Sequence, residues 1–396
     1  MAEKQQRGKG EGAIFQRSSG LWVARIELPA GPGGRRRKEI TATTKDRLME
    51  KLKEPRKQFY IHGDLPSASK PVAAWMSYWL DNIAAKRVRP NTLAGYRSVT
   101  KQITAAIGNI RLDKLQPAHI RRVHDHITSA GATSTYALNA HRVLARALKD
   151  AEAEGLIAKN PANVVDAPKK SRTNLSALTL DQAITVIQRA VPELDGTTEE
   201  YDQEHTLWAS YLLTAVRRGE LLGLEWDRVG DVLDLSWQLQ RITDISTAAP
   251  DYEYRELRGT LYWTRPKTSA GWRIIPLVEP LRSILAAHRA RTAPNAHGLV
   301  FTIGGQPIDP DTATGMWTAY AASVTTRKVR LHDLRHTTVD LLLEAGVPED
   351  VVMEIVGHSQ VAVTRQYKSR EKLVRRTAAM NQLSALLGYE QPALES

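Results

Sequence analysis

Six side chains in the last 180 positions carry the chemistry this chain has on offer: Arg217, Lys267, His332, Arg335, His358 and Tyr367. Five are cationic or titrate near neutrality, and the sixth is a phenol. A phosphodiester resists attack because its negative oxygens repel a nucleophile and its leaving alkoxide is poor, so a catalyst must neutralise the first and protonate the second. Arginine suits the neutralising task, since its planar fork grips two non-bridging oxygens and keeps its proton. Arg217 and Arg335, converging on one phosphate, would meet that need. A free phenol, with a pKa of about 10, is ionised only to roughly one part in a thousand at neutral pH. Nearby Arg, Lys and His favour the phenolate, so a nucleophilic Tyr needs this company. Such a set attacks a phosphodiester without a metal.

Each feature also has a plainer reading. Arg217 is followed by Arg218, only one of which can occupy a site, and an Arg-Arg-Gly-Glu run ending at Glu220 is commonly a salt-bridged helix cap. His332, Arg335 and His336 share one helical face by their spacing of three and four. Two His at that spacing also resemble a zinc-binding HExxH helix, but Asp333 replaces the Glu, and Arg335 would aim a cation at the metal. Lys267 lies in TRPKTSAGWRIIPL, where two strand-like runs flank the turn signal Thr268 to Gly271, a hairpin pattern whose Lys is usually solvent-exposed. The chain has 12 Tyr, and most Tyr are amphipathic core residues. Tyr367 is singled out by its place nine residues after His358, itself preceded by Gly357.

The order of the six and their contexts, TAVRRGELLGLEW, RPKTSAGWRIIPL, HDLRH and VGHSQVAVTRQY, resemble those of the tyrosine recombinases, the phage-integrase family. The resemblance selects Arg217 over Arg218, because the family's arginine ends a Thr-Gly-x-Arg run and has an acid three positions on, here Glu220, which could orient the guanidinium. It departs at Ala215, where Gly is usual and a positive φ would be costly for Ala. It implies that His332 supplies proton transfer or hydrogen bonding to the phosphate, with His336 supporting. It further implies that Lys267 protonates the departing 5′ oxygen, and that Tyr367 forms a 3′-phosphotyrosyl bond. Four protomers would exchange strands through a Holliday junction with no cofactor, neither metal nor ATP. The implied partner is double-stranded DNA carrying core and arm sites, with a directionality factor or DNA-bending protein as helpers. Two rivals remain: a type IB topoisomerase, which religates the original strand, and a DNA-binding regulator without chemistry, which leaves the ordered residues unexplained.

These residues need elements to hold them. At 396 residues the chain can form two or three domains with their own cores. A net charge of +12 and a pI near 9.7 favour a polyanionic partner, although a basic surface also serves membranes or solubility. DNA binding should then fall steeply with added salt. The absence of Cys excludes disulfides and thiolate metal sites and fits a reducing compartment. No apolar run is long enough to span a bilayer, and MAEKQQRGKGEG lacks the apolar core of a secretion signal, so no membrane partner and a cytoplasmic, nucleoid-associated location are expected.

The expected fold class is multidomain and mainly α with small β-sheets. Residues 1–65 hold 15 Lys and Arg against 8 Asp and Glu. Alternation over Leu21 to Leu28 and Lys38 to Thr44 reads as strands, AGPGGRRRK with Arg35, Arg36, Arg37 and Lys38 as a DNA-contacting turn, and Lys45 to Tyr60 as a helix. A three-stranded sheet backed by one helix follows, resembling an arm-type DNA-binding domain; a basic, partly disordered tail is the other reading. Residues 66–167 read as helices over Val72 to Ile83, with Trp75, Tyr78 and Trp79 on one side, then Pro90 to Ile107, Gln116 to Ile127 and Thr133 to Ala153, with Gly131 and Gly155 as stops. This unit resembles the family's core-binding domain. Arg142, Arg146 and Lys149 share a face that either follows a phosphate backbone or is merely solvated. Residues 168–176 read as a linker and 177–396 as a mixed α/β catalytic domain, with strand-like Val232 to Trp237 and Thr260 to Leu277. A last helix, Glu371 to Leu387, carries Leu373, Val374, Ala378, Leu383 and Leu387 as an apolar stripe. That stripe packs on its own domain or, as the resemblance implies and as we favour, on a neighbouring protomer.

Overall fold

A computed structural model describes residues 13–31, 34–62, 70–171, 177–191, 201–266, 272–357 and 370–389. The chain divides into two compact units, residues 1–88 with 92–171 and residues 89–91 with 172–396. Among the described residues no helix is long and apolar enough to cross a membrane.

In the first unit, β1 (Ala13–Gln16), β2 (Trp22–Gly31) and β3 (Gly34–Ala42) form an antiparallel sheet in sequence order, followed by α1 (Lys45–His62). Period-two spacing puts Ala24 and Ile26 on one face, where they meet Ala42 and the α1 residues Leu48 and Leu52 in a small core of their own. Across the register Arg25 faces Glu39, and both it and Arg17 bond the Glu39 carboxylate at 2.6 to 2.9 Å. The basic run is not a turn. Arg36, Arg37 and Lys38 pair with Leu28, Glu27 and Ile26 inside β3. Four consecutive cations show no alternation, so only the partner strand marks this stretch as β.

The helical part of this unit has a separate core. It comprises α2 (Val72–Trp79), continued by one π-type turn at Leu80–Ala84, then α3 (Pro90–Ile107), α4 (Pro117–Ser129) and α5 (Ser134–Ala153). Trp75 and Trp79, one helical turn apart, are buried and donate their indole N–H groups to Ala147 O at 3.0 Å and Asp150 Oδ2 at 2.7 Å on α5. Tyr78 is not on that side: it is 44% exposed. The α5 helix starts at Thr133, whose hydroxyl accepts from Tyr136 N, and α4 and α5 are followed by Gly131 and Gly155 at φ +80° and +71°. Left-handed glycine is what such a stop requires.

The second unit has one large core. Its central helix α7 (Gln203–Thr214) is buried from Thr206 to Thr214. Around it lie α6 (Leu180–Gln188), α8 (Arg218–Leu222), α9 (Leu281–Arg291), α10 (Pro310–Ala322), α11 (Asp333–Glu344), α12 (Glu349–Val356) and α13 (Arg370–Leu386). Short strands make three sheets: β4 (Val232–Asp234) with β8 (Ile274–Pro276); β5 (Gln238–Arg241), β7 (Leu261–Thr264) and β6 (Tyr254–Arg258) in that order; and β9 (Thr302–Ile303) with β10 (Gln306–Pro307). Among the described residues, the strands that flank Lys267, β7 and β8, belong to different sheets, and the turn expected between them, 267–271, lies outside the described residues.

The terminal helix packs partly into its own unit. Ala379, Met380, Leu383 and Leu387 are buried in their own unit's core, and Arg376, 1% exposed, donates to Ile274 O at 2.9 Å. Of the stripe residues, Leu383 and Leu387 are buried, Leu373 is half-buried, and Val374, 61% exposed, and Ala378 stay exposed.

Candidate active site

The TAVRRGE segment folds as a helix end, a sharp bend and a helix start. Ala215 closes α7 at φ +51°, ψ +27°, the left-handed region where a Cβ is strained. The bend lets Arg217 cap α8 at its N-terminus. Glu220, one turn on, accepts from the Arg217 backbone N–H and from its Nη1, both at 2.7 Å. Gly219 is obligatory here, because a Cβ would stand 2.3 Å from Leu239 O of β5.

Glu220 is fully buried, and its second cation comes from β8's edge. Arg273, also fully buried, sends Nη1 and Nη2 to the Glu220 oxygens at 2.9 and 2.8 Å and Nε to Ile355 O at 2.7 Å. Burial alone would raise the Glu220 pKa, but Arg273 and then Arg217 outweigh it and hold the carboxyl ionised below its usual range. Sequence reasoning missed Arg273. Its signal was a lone cation among the apolar residues of WRIIPL.

Arg335, 3% exposed on α11, donates from Nη1 to Ala215 O and from Nη2 to Val356 O. Burial, then the neighbouring Arg273 and Arg217 charges, push its pKa down to about 9. Arg217, a third exposed, donates Nη2 to Gly357 O at 3.0 Å. Three successive carbonyls, Ile355, Val356 and Gly357, thus each receive a different arginine. These carbonyls end α12, where the helix dipole concentrates partial negative charge. Gly357, at φ +72°, closes the helix immediately before His358.

His332 sits at the start of α11, its ring 5.4 Å from that of His336 in edge-on contact. Partial burial, then Arg335 and His336, lower its pKa, so the imidazole is neutral at pH 7. Asp333 points away into an ion pair with Arg330 at 2.7 Å, and hydrogen bonds from that Arg keep it ionised despite burial.

The structure therefore gathers Arg217, Glu220 and Arg335 around the end of α12, with Arg273 added and with His332 and His336 at the start of the helix carrying Arg335. Lys267, His358 and Tyr367 lie outside the described residues, as do the side chains of Arg35 and Arg36. Arg37 and Lys38 are exposed on β3, Arg37 lying 3.5 Å from Glu27. Arg142, Arg146 and Lys149 are all exposed along α5, with Arg146 donating to the Tyr96 hydroxyl at 3.2 Å.

Residues 181–373 match the model of the phage integrase family, and residues 72–127 match its N-terminal SAM-like domain. An integrase of Saccharopolyspora erythraea is 26% identical over 424 aligned positions, which span 93% of this chain and 95% of the relative. The Tn1549 transposon integrase, solved with transposon right-end DNA, shares the fold with a TM-score of 0.61 at 20% identity, over 79% of this chain and 99% of its own. A lambda integrase, solved as a tetramer bound to a Holliday junction, gives 0.55 at 15% identity over 89% and 97%. The two family models fall on the helical core of the first unit and on the second unit, and the chain belongs to the phage-integrase family of tyrosine recombinases.

Proposed function

We propose that this protein is a site-specific DNA recombinase that integrates or excises a mobile element. Arg217 and Arg335 grip the non-bridging oxygens of the scissile phosphate, and His332 hydrogen-bonds to it. The Tyr367 oxygen attacks phosphorus and gives its proton to the neutral imidazole of His332 while the bond to the 5′ oxygen breaks. Lys267 supplies that oxygen's proton. The phosphotyrosyl bond retains the energy needed for rejoining, so a 5′ hydroxyl from a second duplex completes exchange without ATP. Glu220 orients Arg217; His336 and His358 complete the surround.

The observation that carries this reading is the meeting of Arg217 and Arg335 on adjacent carbonyls, Gly357 O and Val356 O. Two guanidiniums far apart in sequence end side by side, next to the segment that begins with His358 and leads to Tyr367.

The domain reading follows: residues 1–65 bind arm sites through Arg35, Arg36, Arg37 and Lys38, residues 66–167 bind core sites through Arg142, Arg146 and Lys149, 168–176 link, and 177–396 cut. On DNA the protein acts as a tetramer in the cytoplasm, on the nucleoid, aided by a directionality factor or DNA-bending protein. The test uses nicked suicide DNA carrying the element's junction. The parent protein should give a covalent adduct and joined recombinant, and Tyr367→Phe neither. Adduct without recombinant would indicate a topoisomerase; no adduct from the parent would indicate a regulator.

A further inference from the structure

Arg218, the cation beside Arg217 that the phosphate reading leaves without a task, has one in the fold. Its Nη1 donates to Pro310 O at 2.8 Å and to the Thr314 hydroxyl at 2.7 Å, both at the N-terminal end of α10, and lies 3.8 Å from Asp311. The two bonds leave from a single nitrogen, so the guanidinium acts here as a point donor and not as the fork that suits a phosphate. On β5, Arg241 makes a matching contact. Its Nε donates to Oδ2 of Asp309, the residue capping α10, at 2.8 Å, and its Nη1 lies 3.5 Å from Asp311. Because α8 meets β5 at Gly219 with no room for a Cβ, the helix, the strand and the start of α10 are each fastened to the other two.

Farther along, α10 is fastened to the lead-in of the second arginine. Trp317, two turns into α10 and fully buried, donates its indole N–H to Val329 O at 2.9 Å. That carbonyl stands three residues before His332, which opens the helix carrying Arg335. The α10 helix holds none of the six residues read as chemical. It is nevertheless bonded to the start of α8, where Arg217 stands, and to the approach to α11.

We propose that Arg218 is a positioning residue, locking the start of α8 to α10 so that Arg217 keeps its spacing from Arg335 when a phosphate lies between them. The proposal rests on the reading of Arg217 and Arg335 as the grips of the scissile phosphate. A residue that only places such a grip matters in proportion to the charge the grip must hold. The test therefore compares suicide DNA carrying an ordinary scissile phosphate with the same DNA carrying a methyl group in place of one non-bridging oxygen, which removes the negative charge.

Relative to the parent, Arg217→Ala should lose about 100-fold in adduct formation on the phosphate, and much of that loss should vanish on the neutral methylphosphonate. Arg218→Ala should lose about tenfold on the phosphate, again narrowed on the methylphosphonate, with gel-shift affinity for the site unchanged. Arg218→Lys should recover most of the rate, because an ammonium can serve both acceptors from one nitrogen. Thr314→Val, which deletes one acceptor from the α10 side, should lose a smaller factor with the same dependence on charge. No loss from Arg218→Ala, an equal loss on both substrates, no recovery by lysine, or a fall in DNA affinity that accounts for the lost rate would overturn the assignment. If Arg217→Ala itself is not relieved by the methyl group, the phosphate reading fails and takes the assignment with it, a pattern distinct from failure at Arg218 alone.

Discussion

At the scale of single residues, Glu220 bonds two of the three converging guanidiniums, those of Arg217 and Arg273. A buried ion pair gains stability only when its remaining hydrogen bonds are satisfied, and removing one partner leaves an uncompensated charge. Glu220→Gln should therefore cost about 3–5 kcal/mol in urea unfolding, and adding Arg273→Met should recover part of that loss. A Gln variant as stable as the parent would show that the carboxylate does not hold the cluster together. The contexts around Arg217 and Arg335 were legible in sequence because they are compact motifs. Arg273 was not, because its partners are 53 and 82 residues away. The doubt raised by Ala215 had substance: the residue does adopt the left-handed conformation that Gly would take more cheaply.

At the scale of elements, α8 crosses β5 at backbone contact. Gly219 and Gly223 both face Leu239, where added Cβ atoms would lie 2.3 and 2.6 Å from its backbone O and N. Gly219→Ala should force the two apart, lowering stability by about 1–3 kcal/mol. Because Arg217 and Glu220 stand on the same short helix, adduct formation should drop more than DNA affinity; a gel-shift assay beside the suicide-substrate assay measures both. An affinity loss matching the activity loss would mean a general collapse. The helices were readable from their 3.6-residue period, with Pro90–Ile107 matching its expected span. The N-terminal three-stranded sheet was readable from its alternation, but the sheets of the second unit were not, because runs of two to five residues carry too few alternations to reveal a partner. Local pattern suggested a hairpin at Lys267, whereas tertiary pairing sent β7 and β8 to separate sheets.

At the scale of the whole molecule, buried imidazoles set the response to acid. His288, fully buried on α9, donates Nε2–H to Val300 O at 2.7 Å, so its Nδ1 accepts from the Tyr201 hydroxyl. Desolvation lowers its pKa, as it does for His124 and His141, which bond each other at 3.1 Å in the first unit. A His with a depressed folded pKa is neutral when folded and takes a proton more readily when unfolded, so its stabilisation is full above the unfolded value of about 6.5 and wanes below it. The urea midpoint should therefore be lower at pH 5.5 than at pH 7.5, and an equal or higher midpoint at pH 5.5 would contradict this. Net charge and helical pattern made the broad architecture legible, but no composition rule foretells which His will be enclosed. The clamp at the end of α12 carries a consequence for synthesis. Its three arginines bridge 140, 82 and 21 residues to reach their carbonyls. Until residue 357 has left the ribosome these guanidiniums lack the carbonyls that gather all three, so a nascent or truncated polypeptide stopped short of that point keeps the bonds to Glu220 and Ala215 but not the shared clamp.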